Sequence, residues 1–156
     1  MDGMTFTTYS VEGTEALGEA LAARLCVGDV VALFGVMGAG KTAFVRGLAR
    51  GLGCAGDVSS PTYALVHEYP VLHPNESKGS PGAPNVPLAH FDMYRVGGWD
   101  ELESTGWFDY LDSGYVLAVE WSEHIVSALP EEAWRVKISY IDENTRGISI
   151  KKGGAP

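Results

Sequence analysis

The sequence predicts an α/β fold, and three observations carry that expectation. Apolar runs of strand length alternate along the chain with segments of helical periodicity. The run "VVALF" (30–34) is apolar at every position, as in a strand covered on both faces. A glycine-rich loop follows it directly and opens an amphipathic segment. At 156 residues, 46% apolar and 20% charged, the chain is long enough to bury one substantial core.

Taken in order, "MTFTTYS" (4–10) alternates and reads as a strand. "TEALGEALAARL" (14–25) places Ala16, Leu17, Ala20, Leu21 and Leu25 on one helical stripe, with Thr14 as the expected N-cap. Gly28-Asp29 makes a turn into the 30–34 strand. "KTAFVRGLARGL" (41–52) repeats the helical spacing through Phe44, Val45, Leu48 and Leu52, and Gly53 stops it. Strands are expected at "TYALVHEY" (62–69) and "LAHFDMYR" (88–95), then a short helix near "WDELEST" (99–105). The strand "VLAVEW" (116–121), a short helix near "SEHIVSAL" (122–129) and the closing pair "WRVKISYI" (134–141) and "RGISIKK" (146–152) complete the chain.

The expected organisation is one domain over 1–152 with a frayed tail at 153–156. Residues 72–87, "LHPNESKGSPGAPNVP", have four prolines and almost no core former, and read as a flexible, dispensable insertion. No membrane span and no signal peptide are expected, so the chain reads as cytoplasmic. Cys26 and Cys54 form no metal or redox pair and read as two buried thiols. His67, His73, His90 and His124 lack ligand spacing and read as packed or surface residues, and the tryptophans as mostly core. A net charge of −9 with 11 scattered basic residues argues against a nucleic-acid-binding stripe.

"GVMGAGKT" (35–42) carries the chemistry. Gly35-x4-Gly40-Lys41-Thr42 is the P-loop pattern, set between the strand and helix that this pattern requires. Glycines let successive N–H groups converge on an anion, and the helix N-terminus adds its dipole. Lys41 supplies charge for β- and γ-phosphates, and the Thr42 hydroxyl is a ligand for Mg²⁺. A glycine-rich turn with a solvated lysine is the competing reading, and the flanking elements argue against it. Such a site needs a carboxylate near the metal, and Asp92 and Glu120 both sit at strand ends. Trp121 adjoins one of them. "SSPTY" (59–63) lies where P-loop proteins place a γ-phosphate-sensing loop, although an ordinary strand entry shaped by Pro61 would look the same.

Together, "GVMGAGKT", "SSPTYALVHEY", "HFDMYR", "ELESTGWFDY" and "VEWSE" resemble, in order and over about Ser10 to Ile150, the motifs of the TsaE (YjeE) family. These are small bacterial P-loop ATPases needed to make threonylcarbamoyladenosine at position 37 of tRNA. The resemblance implies a P-loop NTPase fold with a mixed, mostly parallel sheet flanked by helices, and ATP and Mg²⁺ as cofactors. It implies Glu120 as a direct Mg²⁺ ligand beside Thr42, Asp92 near metal and water, and Thr62 in the switch-like loop. Lys41, Asp92 and Thr62 would serve catalysis. Gly35, Gly38, Ala39, Gly40, Lys41, Thr42 and Ala43 would cradle phosphate, Trp121 would flank the nucleotide, and Ser10, Val11 and Thr14 would meet the adenine. The implied partners are TsaD and TsaB, with tRNA reached only through that complex. Three departures stand out: Val36 where an acidic residue is usual, Ser122 where proline is frequent, and the length of 72–87.

A small-molecule kinase would need an arginine-bearing lid, and after Arg50 only Arg95, Arg135 and Arg146 remain. A GTPase would need an Asn-Lys-x-Asp motif, which is missing. A nucleotide-gated binding module with incidental hydrolysis stays open beside the slow ATPase.

Overall fold

The computed structural model describes residues 1–54, 58–59, 65–72 and 83–154. One seven-stranded sheet organises them, in the order β1-β7-β6-β2-β5-β4-β3. The strands are β1 (Met4–Thr8), β2 (Val30–Phe34), β3 (Val66–Tyr69), β4 (Leu88–Asp92), β5 (Val116–Glu120), β6 (Trp134–Tyr140) and β7 (Arg146–Lys152). The centre is parallel, with β2 between β6 and β5 and β4 beyond β5. Antiparallel pairs finish both sides: β3 on β4, and β7 and β1 beyond β6. The expected mixed sheet is found, with parallel pairing in its core and antiparallel pairing at both edges.

Helices α1 (Val11–Ala22) and α2 (Lys41–Leu52) cover one face of the sheet. There Val31, Leu33, Val116, Ala118, Leu88, Val136 and Ile148 pack against Leu21, Phe44, Val45 and Leu48. The other face holds Ala32, Phe34, Phe91, Leu117 and Val119 beneath α3 (Trp99–Ser104), α4 (Trp107–Tyr110) and a 3-10 segment (Ser122–Ala128). β2 and β5 are buried at every position, as expected for strands covered twice.

Several local expectations are corrected. Helix α1 begins at Val11, and its N-cap is Ser10, whose hydroxyl accepts from Gly13 N at 3.0 Å. Thr14 cannot cap because it lies inside the helix, buried, with its Oγ1 2.8 Å from Thr8 Oγ1. The buried stripe of α1 is Thr14, Gly18, Leu21 and Ala22, while Ala16 and Ala20 are exposed. Cys26 is exposed, and only Cys54 is buried. Trp99 is 55% exposed, whereas Trp107 and Trp134 are core. The helix α4 was not expected; Gly106, at φ +82°, turns the chain into it.

Residues 73–82 of the expected insertion, and residues 60–64 before β3, lie outside the described residues. The described ends of the 72–87 segment are not spare chain. Leu72 N donates to Gly53 O at 2.9 Å, Val86 is buried, and its carbonyl accepts from Cys54 Sγ at 3.2 Å. No helix among the described residues is long and apolar enough to cross a membrane.

What fixes α2 on the sheet is its contact with α1, and that contact is made through glycines. A Cβ built on Gly47 would meet Glu15 O at 1.9 Å, and one on Gly18 would meet Phe44 O at 2.2 Å. The backbones therefore approach more closely than any side chain permits. Around this seam Arg46 pairs with Glu15 at 2.7 Å and Arg50 with Glu19 at 2.9 Å, exposed pairs that add little. Gly47→Ala is expected to force the helices apart and to destabilise the fold by about 1–3 kcal/mol. A urea midpoint equal to that of the unchanged protein would contradict this packing.

Candidate functional site

β2 ends at Phe34, and the chain must turn within six residues to start α2 at Lys41. Gly35, Gly38 and Gly40 make the turn at φ +151°, +78° and +108°, conformations that side chains disfavour. At Gly35 space alone also excludes a side chain, since a Cβ would stand 2.6 Å from Ile138 O on β6. The loop thus begins pressed against the neighbouring strand and ends at a helix N-terminus.

Two outside groups hold it. Glu123, from the 3-10 segment, accepts from Gly35 N at 3.1 Å. Arg146, at the start of β7, donates from Nε to the Ala39 carbonyl at 2.9 Å and from Nη2 to that of Gly38 at 3.4 Å. The same guanidinium donates to Asp142 O at 2.6 Å within the β6–β7 turn and lies over the Tyr140 ring. Neither residue was singled out for this role in the sequence, because each reaches the loop from a distant element.

Beside the loop lies a cavity of about 350 Å³, open to solvent and lined by Gly38, Lys41, Thr42, Asp92, Arg95, Glu120 and Trp121, among others. It sits at the carboxyl ends of β2, β5 and β4, where open α/β sheets place their ligands. Register explains the acids: Asp92 and Glu120 are paired neighbours on adjacent parallel strands. Thr42 Oγ1 donates to the Glu120 carboxylate, 3.2 Å from each oxygen.

Lys41 is 5% exposed, although it opens the helix. Its Nζ donates to Gly35 O at 2.6 Å and stands 3.7 Å from the centre of the Trp121 ring. Burial pulls its ammonium below the ordinary lysine value, and the carboxylates of Glu123, Glu120 and Asp92 oppose that pull. Trp121 itself takes a left-handed conformation, φ +58°, uncommon for a bulky residue and a strain of order 1–3 kcal/mol. That turn brings its ring over the lysine. Tyr94 packs on Trp121 with ring centres 4.9 Å apart, on the rim of the same cavity.

His90 is the participant that spacing could not show. It is fully buried, and its Nε2 lies 2.5 Å from Glu120 Oε2. The alternation in "LAHFD" puts His90 on the same face as Asp92, but only the β4–β5 register brings it to Glu120. The expectation of strand-face packing holds for its position and misses its partner.

A second, smaller cleft is lined by Ser10, Val11, Thr14, Gly40 and Ala43 from the α1 and α2 ends, with Glu143, Asn144 and Arg146 opposite. It gathers the three residues expected near a nucleobase and shares no lining residue with the cavity that holds the acids. Thr62 lies outside the described residues. Ser122, in place of a proline, is buried and donates to Val119 O at 2.9 Å. Val36 and Met37 project from the loop, exposed.

The set of groups suits a magnesium ion: hard oxygen donors from Thr42 and Glu120, with Asp92 alongside. Among the described residues no three His, Cys, Asp or Glu side chains are placed to hold a metal ion by themselves. Magnesium does not require three, because it takes one or two carboxylates and completes its shell with water and phosphate.

Arg146→Ala is expected to free the Gly38 and Ala39 carbonyls. Amide exchange across 36–40 should quicken roughly ten- to a hundredfold, as expected from losing a charge-assisted bond worth roughly 1.5–3 kcal/mol. Unchanged protection of those amides would remove Arg146 from the site.

With this geometry in place, similarity to known proteins is informative. The family model for threonylcarbamoyl adenosine biosynthesis protein TsaE matches residues 8–148. The TsaE of Bacillus subtilis is 34% identical over 154 residues, 99% of this chain and 89% of that protein. The TsaE of Streptomyces coelicolor is 42% identical over 123 residues, 78% of this chain and 76% of that protein. The crystal structure of YdiB from Bacillus subtilis, a P-loop fold, superposes with a TM-score of 0.72 at 32% identity, covering 97% of this chain and 86% of that one. The chain belongs to the TsaE family of threonylcarbamoyl adenosine biosynthesis proteins.

Proposed function

We infer that this protein binds ATP with Mg²⁺ at the 35–42 loop and hydrolyses it slowly, as a cytoplasmic component of the machinery that forms N6-threonylcarbamoyladenosine at position 37 of tRNA. One observation carries the reading: the adjacent Lys41 and Thr42 and the distant Asp92 and Glu120 line one cavity around a loop shaped to bind phosphate.

In this reading the loop amides and Lys41 hold the β- and γ-phosphates, and Lys41 leaves the Gly35 carbonyl to do so. Thr42 and Glu120 hold the metal, and His90 fixes the Glu120 carboxylate in place. The ion, when bound, neutralises charge on the phosphate oxygens. Asp92 orients water, with Thr62 contributing from the switch-like segment. Ser10, Val11 and Thr14 receive the adenine, while Trp121 shields the lysine from solvent.

Slow turnover follows from what is loosely held. Arg95 lines the cavity but is exposed, and nothing described locks it over the phosphates. An arginine fixed at that position is worth on the order of 10³–10⁵ in rate. We assign completion of the site to docking of TsaD and TsaB, with tRNA engaged through that complex. By reciprocity, bound ATP then favours docking.

Mg²⁺ titrated against a fluorescent ATP analogue tests the metal assignment. Asp92→Ala, acting through water, is expected to weaken Mg²⁺-dependent binding on the order of tenfold, and Glu120→Ala by more. The reverse order would make Asp92 the direct ligand. No saturable binding by the unchanged protein would end the reading.

A further inference from the structure

A second cavity, about 740 Å³, is larger than the one beside Lys41. It lies on the face of β6 and β7 that points away from α1 and α2, and its inner wall is Phe34, Gly35 and Val36. The helical layer over that face packs on β2, β4 and β5. Over the outer part of the sheet this face has no helix among the described residues.

Cations that look scattered in sequence meet there. Pairing of β6 with β7 sets Arg135 directly opposite Lys151, and Lys137 follows two residues on along the same face. Like charges directly opposite one another destabilise a strand pair. Among the described residues none of the three forms an ion pair with a carboxylate. Arg135 is only 8% exposed; its Nη1 donates to the carbonyls of Ala133 at 3.0 Å and Glu131 at 3.4 Å, while its buried Nε has no hydrogen-bond partner among the described residues and no carboxylate balances its charge there. Beside the cations stand two exposed apolar side chains, Val36 at 64% and Val126 at 39% exposure, next to Phe34 in the wall.

We propose that this groove docks a segment of a partner protein bearing carboxylates between apolar residues, the carboxylates meeting Arg135, Lys137 and Lys151 and the apolar groups meeting Val36 and Val126. A protein segment fits better than RNA. Three cations at one end of two strands make no stripe for a phosphate backbone, and Glu123 lines the same groove. Because Gly35 and Val36 form its wall, an occupant touches the start of the phosphate-binding loop.

The test is a titration of the isotopically labelled chain, followed by amide chemical shifts, with a short peptide alternating glutamate and leucine. It needs no nucleotide, so its failure leaves the ATP reading untouched. Shifts are expected at Lys137, Ser139, Ser149 and Lys151, and the double change Lys137→Glu with Lys151→Glu should weaken the peptide roughly tenfold, about 1.4 kcal/mol. Lys151→Gln separates binding from folding: it relieves the pair with Arg135, so the thermal midpoint should hold or rise while peptide affinity falls. The proposal is overturned if the shifts map elsewhere, if charge reversal leaves affinity unchanged, or if Lys151→Gln lowers stability. Tighter binding of a uridine oligonucleotide than of the peptide at this face would overturn it as well.

Discussion

The contact between Gly35 and the carbonyl of Ile138 is the constraint on which the site depends. Only a residue without a side chain can leave β2 so close to β6, and only in a backbone conformation that glycine adopts freely. That exit sets where the loop lies and aims α2 across the sheet. It also sets the height at which Lys41 and Thr42 stand above the ends of β5 and β4. The glycine seam between α1 and α2 then holds the helix at that height. The loop is thus defined from both ends by backbone contacts, which do not change rotamer as side chains do.

On this frame the electrostatics are arranged in tension. A nearly buried ammonium is held among Glu120, Glu123 and Asp92, partnered by a carbonyl and an aromatic face. A buried carboxylate shares a hydroxyl with Thr42 and touches a fully buried imidazole. Such groups are costly to bury and are worth burying where they meet a ligand that carries the complementary charge. The left-handed Trp121, next to Glu120 in the chain and with its ring against Lys41, is a local cost of the same kind.

Much of this was legible in the residues, for physical reasons that differ by element. A run such as Val30 to Phe34 has one reading because a strand covered twice has no polar position, and Gly53 ends α2 in the left-handed conformation expected of a helix stop. The N-cap of α1 was misplaced because Ser10 and Thr14 are equally good caps in isolation. The tertiary bond from Thr14 to Thr8 decided between them. The buried stripe of α1 was misjudged because Gly18 has no hydrophobicity to announce it, although close packing required it. His90, Glu123 and Arg146 were missed as site residues, since nothing local distinguishes them. Arg146 grips a carbonyl 107 positions away, and His90 reaches Glu120 only through the register of two parallel strands. The gathering of Arg135, Lys137 and Lys151 was hidden for the same reason.

The account's central claim is an ATP site whose groups are assembled but not closed, and steady-state ATP turnover tests it most directly. The isolated chain should turn over slowly, and Lys41→Ala should abolish that activity while leaving the fold intact. Purified TsaB and TsaD, with tRNA, should raise the rate of the unchanged chain substantially. An isolated protein that is already fast and indifferent to those partners, or a folded Lys41→Ala protein with full activity, would contradict the account.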